Sequence, residues 1–270
     1  MIIRGANIET KSVEYKKISD YDWTDNTKLL KIIKKLELIY LSIEEQLKYQ
    51  IINPMDIEDG TVVIPPNALN HRCSNSIESL QEISNYGILA SEWFGELESE
   101  REGCFCTFVS RMKGSDYPYL GDLAEDDKSR LNIGENVILF FDEKNPLMQY
   151  LLHLDYFEFE HQKKENPNYA SLYNSNELEI LEELIEPLSP AGKDMRKSYV
   201  FKTNYWSAIP GGIPSKLVNG ICVKNNNYSE SELDVISSLF PEAVIFDSNK
   251  QVLRYPFINQ LKDNGTAIGK

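Results

Sequence analysis

Asn70-His71-Arg72 puts an amide, an imidazole and a guanidinium side by side at the end of a short apolar run. Nucleotide recognition draws on that set, with donors and acceptors for ribose hydroxyls and a planar cation for phosphate oxygens. The chain has only three histidines, so the placement of this one matters. A structural reading accounts for the same residues: the imidazole bonds a backbone carbonyl and the guanidinium lies in solvent. The residue pattern leaves both open.

Other chemistries lack their residues. There is no Gly-x-Gly-x-x-Gly, no P-loop and no Gly-x-Ser-x-Gly elbow, which sets aside dinucleotide-fold, Walker-type and serine-hydrolase readings. Cys73, Cys104, Cys106 and Cys222 form no zinc-ligand pattern with the histidines. They read as small buried hydrophobes in a reducing compartment. No metal site is expected. With 28 basic and 42 acidic residues the net charge is −14. That charge repels phosphate backbones at long range and disfavours generic nucleic-acid binding. Hydrophobic residues make up 41% of the 270, enough for a sizeable core. No run approaches the roughly 20 apolar residues of a membrane span, and the first residues lack a secretory apolar region. A soluble, cytoplasmic protein that makes no membrane contact is expected.

These residues must be positioned by surrounding elements. Leu29, Leu30, Ile32, Ile33, Leu36, Ile39, Tyr40 and Ile43 repeat at helical spacing and predict a helix over 26–50, ended by Pro54. Thr61–Ile64 and Ala68–Arg72 read as strand. Asn75 and Glu78 have capping-box spacing for a helix over 76–85, closed by Gly87. Phe105–Val109 reads as a strand, and 113–135 as a long surface loop. Val137–Phe141 is all apolar and predicts a central strand. Residues 147–154 fit helix or strand, 155–170 a solvated charged segment, and Glu177–Ile185 a helix with exposed acids. Residues 187–198 read as a linker. Val218–Val223, Glu230–Leu239 and Ala243–Phe246 read as strand, helix and strand. Without a regular βαβ rhythm, the expected class is α+β.

The segment order is similar to the ADP-ribosyltransferase superfamily, and resembles its DNA-targeting toxin branch. The matching residues are His71, then Ser79-Leu80-Gln81-Glu82-Ile83 and Gly87-Ile88. Val137–Phe141 with Asn145-Pro146-Leu147-Met148 resembles a middle strand and its exit. Ile213-Pro214 with Val218-Asn219-Gly220-Ile221 resembles the late strand entry. The resemblance covers about 62–250. It implies a split mixed sheet with flanking helices, forming a domain over 59–270 behind an N-terminal helical extension over 1–58.

What the resemblance implies for function is an NAD-binding cleft. His71 would hold a ribose of NAD, flanked by Asn70 and Arg72. Phe105, Ser110 and Arg111 would lie near the nicotinamide or the phosphates. Tyr205 and Trp206 would stack on a ring or pack in the core, and Tyr117 and Tyr119 sit in a lid-like loop. The implied activity is transfer of ADP-ribose to a macromolecular acceptor by a bacterial or phage toxin or effector. One departure bears on it. Family transferases carry a glutamate just before the Ile-Pro strand, where it stabilises the oxocarbenium-like transition state. Here that segment is Asn204-Tyr205-Trp206-Ser207-Ala208-Ile209-Pro210. Glu92, Glu96, Glu98, Glu100 and Glu102 follow the first core helix, and Glu102 is the candidate substitute acid. The alternatives are a non-catalytic descendant of the fold that binds a nucleotide or protein, and an acidic antagonist that mimics nucleic acid.

Overall fold

The computed structural model describes residues 6–8, 11–13, 27–48, 52–65, 68–89, 106–111, 136–183, 206–224 and 227–257. In chain order the first elements are β1 (Ala6–Ile8), β2 (Lys11–Val13) and helix α1 (Thr27–Leu47). Then come β3 (Ile57–Glu58), β4 (Thr61–Val62), β5 (Leu69–Ser74), α2 (Ile77–Tyr86) and β6 (Ile88–Leu89). The middle holds β7 (Cys106–Arg111), β8 (Asn136–Phe141), α3 (Pro146–His153), α4 (Tyr156–Glu165) and α5 (Ser175–Glu183). The last elements are β9 (Trp206–Pro210), β10 (Gly212–Ile213), β11 (Val218–Val223), α6 (Glu230–Leu239), β12 (Val244–Asp247) and β13 (Val252–Arg254). The class is α+β with a large mixed sheet, as expected.

The chain divides into two compact units. One takes Met1–Gln50, Tyr86–Val109 and Gln149–Pro214, and the other Ile51–Asn85, Ser110–Met148 and Ser215–Lys270. Each unit is therefore assembled from three separate segments of the chain.

In the first unit α1 packs against α5, and Lys35 pairs with Glu179. Leu36, Ile43 and Leu47 are the buried rungs of α1 at helical spacing. α1 ends at Leu47, well before Pro54, so the proline is not its stop. The charged stretch after Asp155 folds as α4 rather than as solvated chain, because Tyr156 and Phe159 bury an apolar edge within it. The ring of Tyr173 stands edge-on to Phe159 with centroids 5.2 Å apart and stacks on His153 at 4.4 Å. Glu177, read from sequence as an exposed acid, is buried. It accepts from the Tyr150 hydroxyl at 3.2 Å and from the Asn174 amide at 3.0 Å. Beside these helices β9 neighbours the Cys106–Val109 part of β7, and β6 pairs antiparallel with β10. A Cβ at Gly212 would lie 2.6 Å from the Ile88 carbonyl oxygen, so glycine is required where these two strands close.

In the second unit the sheet runs β13-β12-β11-β8-β5 and then the Ser110–Arg111 end of β7. The β11–β12 pair is parallel and the other pairs are antiparallel. β8 has neighbours on both sides and its residues Val137–Phe141 are buried, which is why its sequence shows no polar alternation. One face of this sheet carries Ile138, Phe140, Cys222, Val244 and Phe246, covered by Met55, Val62 and Ala68. Asp59 and Gly60 turn the β3–β4 hairpin at φ 49° and 76°, the two positive angles of a type I′ turn. α6 follows the pattern read from its sequence. It opens with a capping box in which the Ser229 hydroxyl accepts from the Glu232 amide at 3.4 Å and the Glu232 carboxylate accepts from the Ser229 amide at 2.7 Å.

Candidate functional site

The sequence placed Asn70-His71-Arg72 at a strand terminus. In the structure they are the second to fourth residues of six-residue β5, paired with β8 along its whole length. The strand continues through Cys73 and Ser74 because Val137 and Asn136 of β8 extend the ladder opposite them. The polar triplet thus lies within the strand rather than at its end, with Asn70 paired on both sides and His71 and Arg72 paired with β8.

Asn70 and Ser110 are brought together as opposed residues of β5 and β7. The Asn70 amide nitrogen donates to the Ser110 carbonyl at 2.9 Å and to the Ala68 carbonyl at 3.3 Å. The Ser110 hydroxyl donates back to Asn70 Oδ1 at 2.9 Å. Both amide donors and the amide oxygen of this buried residue are engaged, so the pair acts as a cross-strand clamp.

His71 and Arg72 are half-buried and both have protein partners. Residues alternate along a strand, so His71 shares its face with Leu69, Cys73 and the opposed Leu139. Burial pushes the Cys73 thiol up to about 12, which keeps it protonated and unreactive near neutral pH. Capping of the helix behind this strand falls one residue later than the Asn75–Glu78 reading. The Ser76 hydroxyl accepts from the Ser79 amide at 3.1 Å, and the Asn75 carbonyl instead takes the Tyr228 hydroxyl.

Arg111 and Trp206 have their backbones in β7 and β9. Tyr205, Glu102, its neighbours Glu92, Glu96, Glu98 and Glu100, Phe105, Tyr117 and Tyr119 lie outside the described residues. Where the resemblance expects a glutamate, β9 reads Trp206-Ser207-Ala208-Ile209-Pro210. A carboxylate does touch this strand from elsewhere in the same unit. Asp155, just ahead of α4, is buried and accepts from the Ala208 amide at 3.0 Å. That bond ties helix to strand.

A cleft of about 940 Å³ lies in the second unit, with Phe140 on the face of the sheet opposite His71. Its floor is Phe140, Met55 and Ala68. None of Asn70, His71, Arg72 or Ser110 lines it. Its position follows from a β-bulge. Val218 opposes Phe141 and Gly220 opposes Phe140, which leaves Asn219 as the extra residue on β11. Bulges re-aim a side chain out of the regular ladder, and Asn219 lines the cleft. Its amide nitrogen donates to the Asn53 carbonyl at 3.3 Å, which fixes which end of the amide is oxygen. Asn219 is 6% exposed, and its Oδ1 is the one buried side-chain polar atom without a protein partner among the described residues. Gly220 lets Met55 close down beside it: an added Cβ would fall inside the contact radius of Met55 Sδ. The sequence flagged Asn219 only as part of a family-like string. The Asp59-Gly60 turn, a strong hairpin signal, would have located the segment that covers this floor.

Among the described residues no three His, Cys, Asp or Glu side chains converge to hold a metal ion, and no helix is long and apolar enough to cross a membrane. Neither a protein-family model, a curated protein nor a solved structure matches the chain.

Proposed function

We propose that the protein binds NAD or a related ADP-ribose-bearing nucleotide through an ADP-ribosyltransferase-like domain. One observation carries the reading. The three motif-bearing strands are far apart in sequence, yet β5 with His71, β8 with Val137–Phe141 and β11 with Val218–Ile221 are consecutive neighbours in one sheet. In this reading His71 and Arg72 contact the ribose and phosphates, and Asn70 with Ser110 holds their strand in place.

Transfer to a macromolecular acceptor, as by a toxin or effector, depends on an acid that the described part of β9 does not contain. Glu102 is the candidate. With neither Glu102 nor a substitute in position, the same domain is a non-catalytic nucleotide binder. The loss of one electrostatic stabiliser of a charged transition state slows a reaction about 100- to 1000-fold, so the two outcomes separate clearly.

Calorimetric titration with NAD and ADP-ribose tests binding. His71→Ala is expected to weaken it by about 1–3 kcal/mol, the cost of an unpaired buried polar group. No binding of either compound at millimolar concentration refutes the reading. Nicotinamide release that Glu102→Gln abolishes supports transfer. Binding without release supports the non-catalytic form.

A further inference from the structure

We propose that the bulge cleft of the second unit binds a small linear polyamine, a chain of ammonium groups joined by methylenes. The argument is independent of the NAD reading, because none of the described residues assigned to NAD lines this cleft.

Asn219 Oδ1 sets the first requirement. A buried acceptor without a protein donor is destabilising unless something supplies an N–H or O–H. The Asn53 carbonyl holds the amide so that its oxygen remains the acceptor. A ligand seated here therefore presents a donor.

The lining charges set the second. Asp56, Asp142, Glu143 and Lys144 are the charged residues lining the cleft, so acids exceed bases by two (three minus one). A phosphate-bearing ligand is repelled by that balance and a cation is attracted. Asp142 also accepts from the Lys144 backbone amide at 2.8 Å, which fixes its position at the start of the turn into α3.

The distribution of the acids sets the third. They do not converge into a metal-holding cluster among the described residues. The same cleft has an apolar floor of Phe140, Met55 and Ala68, which takes methylene groups that a compact metal ion lacks. Tyr255 at the rim, 47% exposed, offers an aromatic face to an ammonium group. A cleft of about 940 Å³ admits a small organic molecule.

The test is calorimetric titration of the full chain with spermidine at low salt, with magnesium chloride as the compact-cation control. Spermidine is expected to bind in a saturable, roughly one-to-one manner, and magnesium not to compete at equal concentration. Asp142→Asn with Glu143→Gln is expected to weaken binding about ten- to a hundredfold, as for lost hydrogen bonds to charged groups. Asn219→Ala should also weaken it, and so should Tyr255→Ala, a change at an exposed residue outside the core. Thermal melts of each variant separate lost binding from lost folding. Absence of spermidine binding at millimolar concentration overturns the proposal. Binding that magnesium matches, or that the folded variants leave unchanged, also overturns it, since that describes counterions on an acidic surface.

Discussion

Gly220→Ala probes the packing that forms the floor of the bulge cleft. Gly220 is not at a positive φ, so alanine can adopt its backbone conformation. Any cost is therefore steric. The added methyl would overlap Met55 Sδ, lie 3.1 Å from Met55 Cγ and 3.4 Å from Phe140 Cβ. The strand cannot swing away, because Gly220 is laddered to Phe140 on one side and Val244 on the other. Met55 must move, and it is 7% exposed within the cluster formed with Val62 and Phe246. Overpacking of this kind costs about 1–3 kcal/mol. The reduced freedom of the unfolded chain returns about 0.4–1 kcal/mol. A double-mutant cycle isolates the clash. In a Met55→Ala background the overlap is gone, and Gly220→Ala should become neutral or stabilising. Urea unfolding of the four proteins should give a coupling of about 1–3 kcal/mol, within the range for residues in contact. Coupling below about 0.5 kcal/mol refutes the steric account.

Asp155→Ala should destabilise by about 1–3 kcal/mol, because it leaves the buried Ala208 amide without its acceptor. Asp155→Asn, which keeps an oxygen, should recover most of the loss in urea unfolding, and equal losses would contradict the assignment. Alkaline pH should weaken the fold. Burial pushes Cys73 from 9.0 and Tyr228 from 10.0 up to about 12 each, and Cys73 adds to the effect on Tyr228. Both charge by losing a proton, so above pH 9 the unfolded chain binds fewer protons than the folded one, and stability falls as pH rises towards 12. Urea midpoints at pH 8 and pH 10.5 check this, and Cys73→Ala should flatten the decline. A decline of unchanged steepness in that variant would remove Cys73 from the explanation.

Periodicity made the strongest elements legible. Val137–Phe141, all apolar, read as a central strand, and Glu230–Leu239 showed a helical apolar stripe between polar residues. α4 was hidden because its aromatic residues, Tyr156, Phe157 and Phe159, stand among charges, and Phe159 packs against Tyr173, outside the segment. Glu177 looked like any surface acid until Tyr150 and Asn174 were placed around it. The polar triplet of β5 was legible as a set of groups but not as a site. Nothing local to Asn70 indicates that Ser110, forty residues on, takes up its amide. The bulge at Asn219 arises from the register between β11 and β8, a property that neither strand carries alone.

The β3–β4 hairpin has a kinetic consequence. It is joined to the turn between β12 and β13 through Val62 N–H to the Lys250 carbonyl at 2.8 Å, Val252 N–H to the Gly60 carbonyl at 3.0 Å, and Gln251 to Thr61 at 3.1 Å. The Gln251–Thr61 contact spans 190 residues of chain. During synthesis these three contacts cannot form until residues near 252 have left the ribosome. The entropy of so long a loop must be met before these contacts form. The hairpin can turn early by itself, since Asp59-Gly60 needs only its neighbours. Its docking against the turn between β12 and β13 is a late step, and the cluster of Met55 and Val62 is complete only once Val244 and Phe246 have joined it.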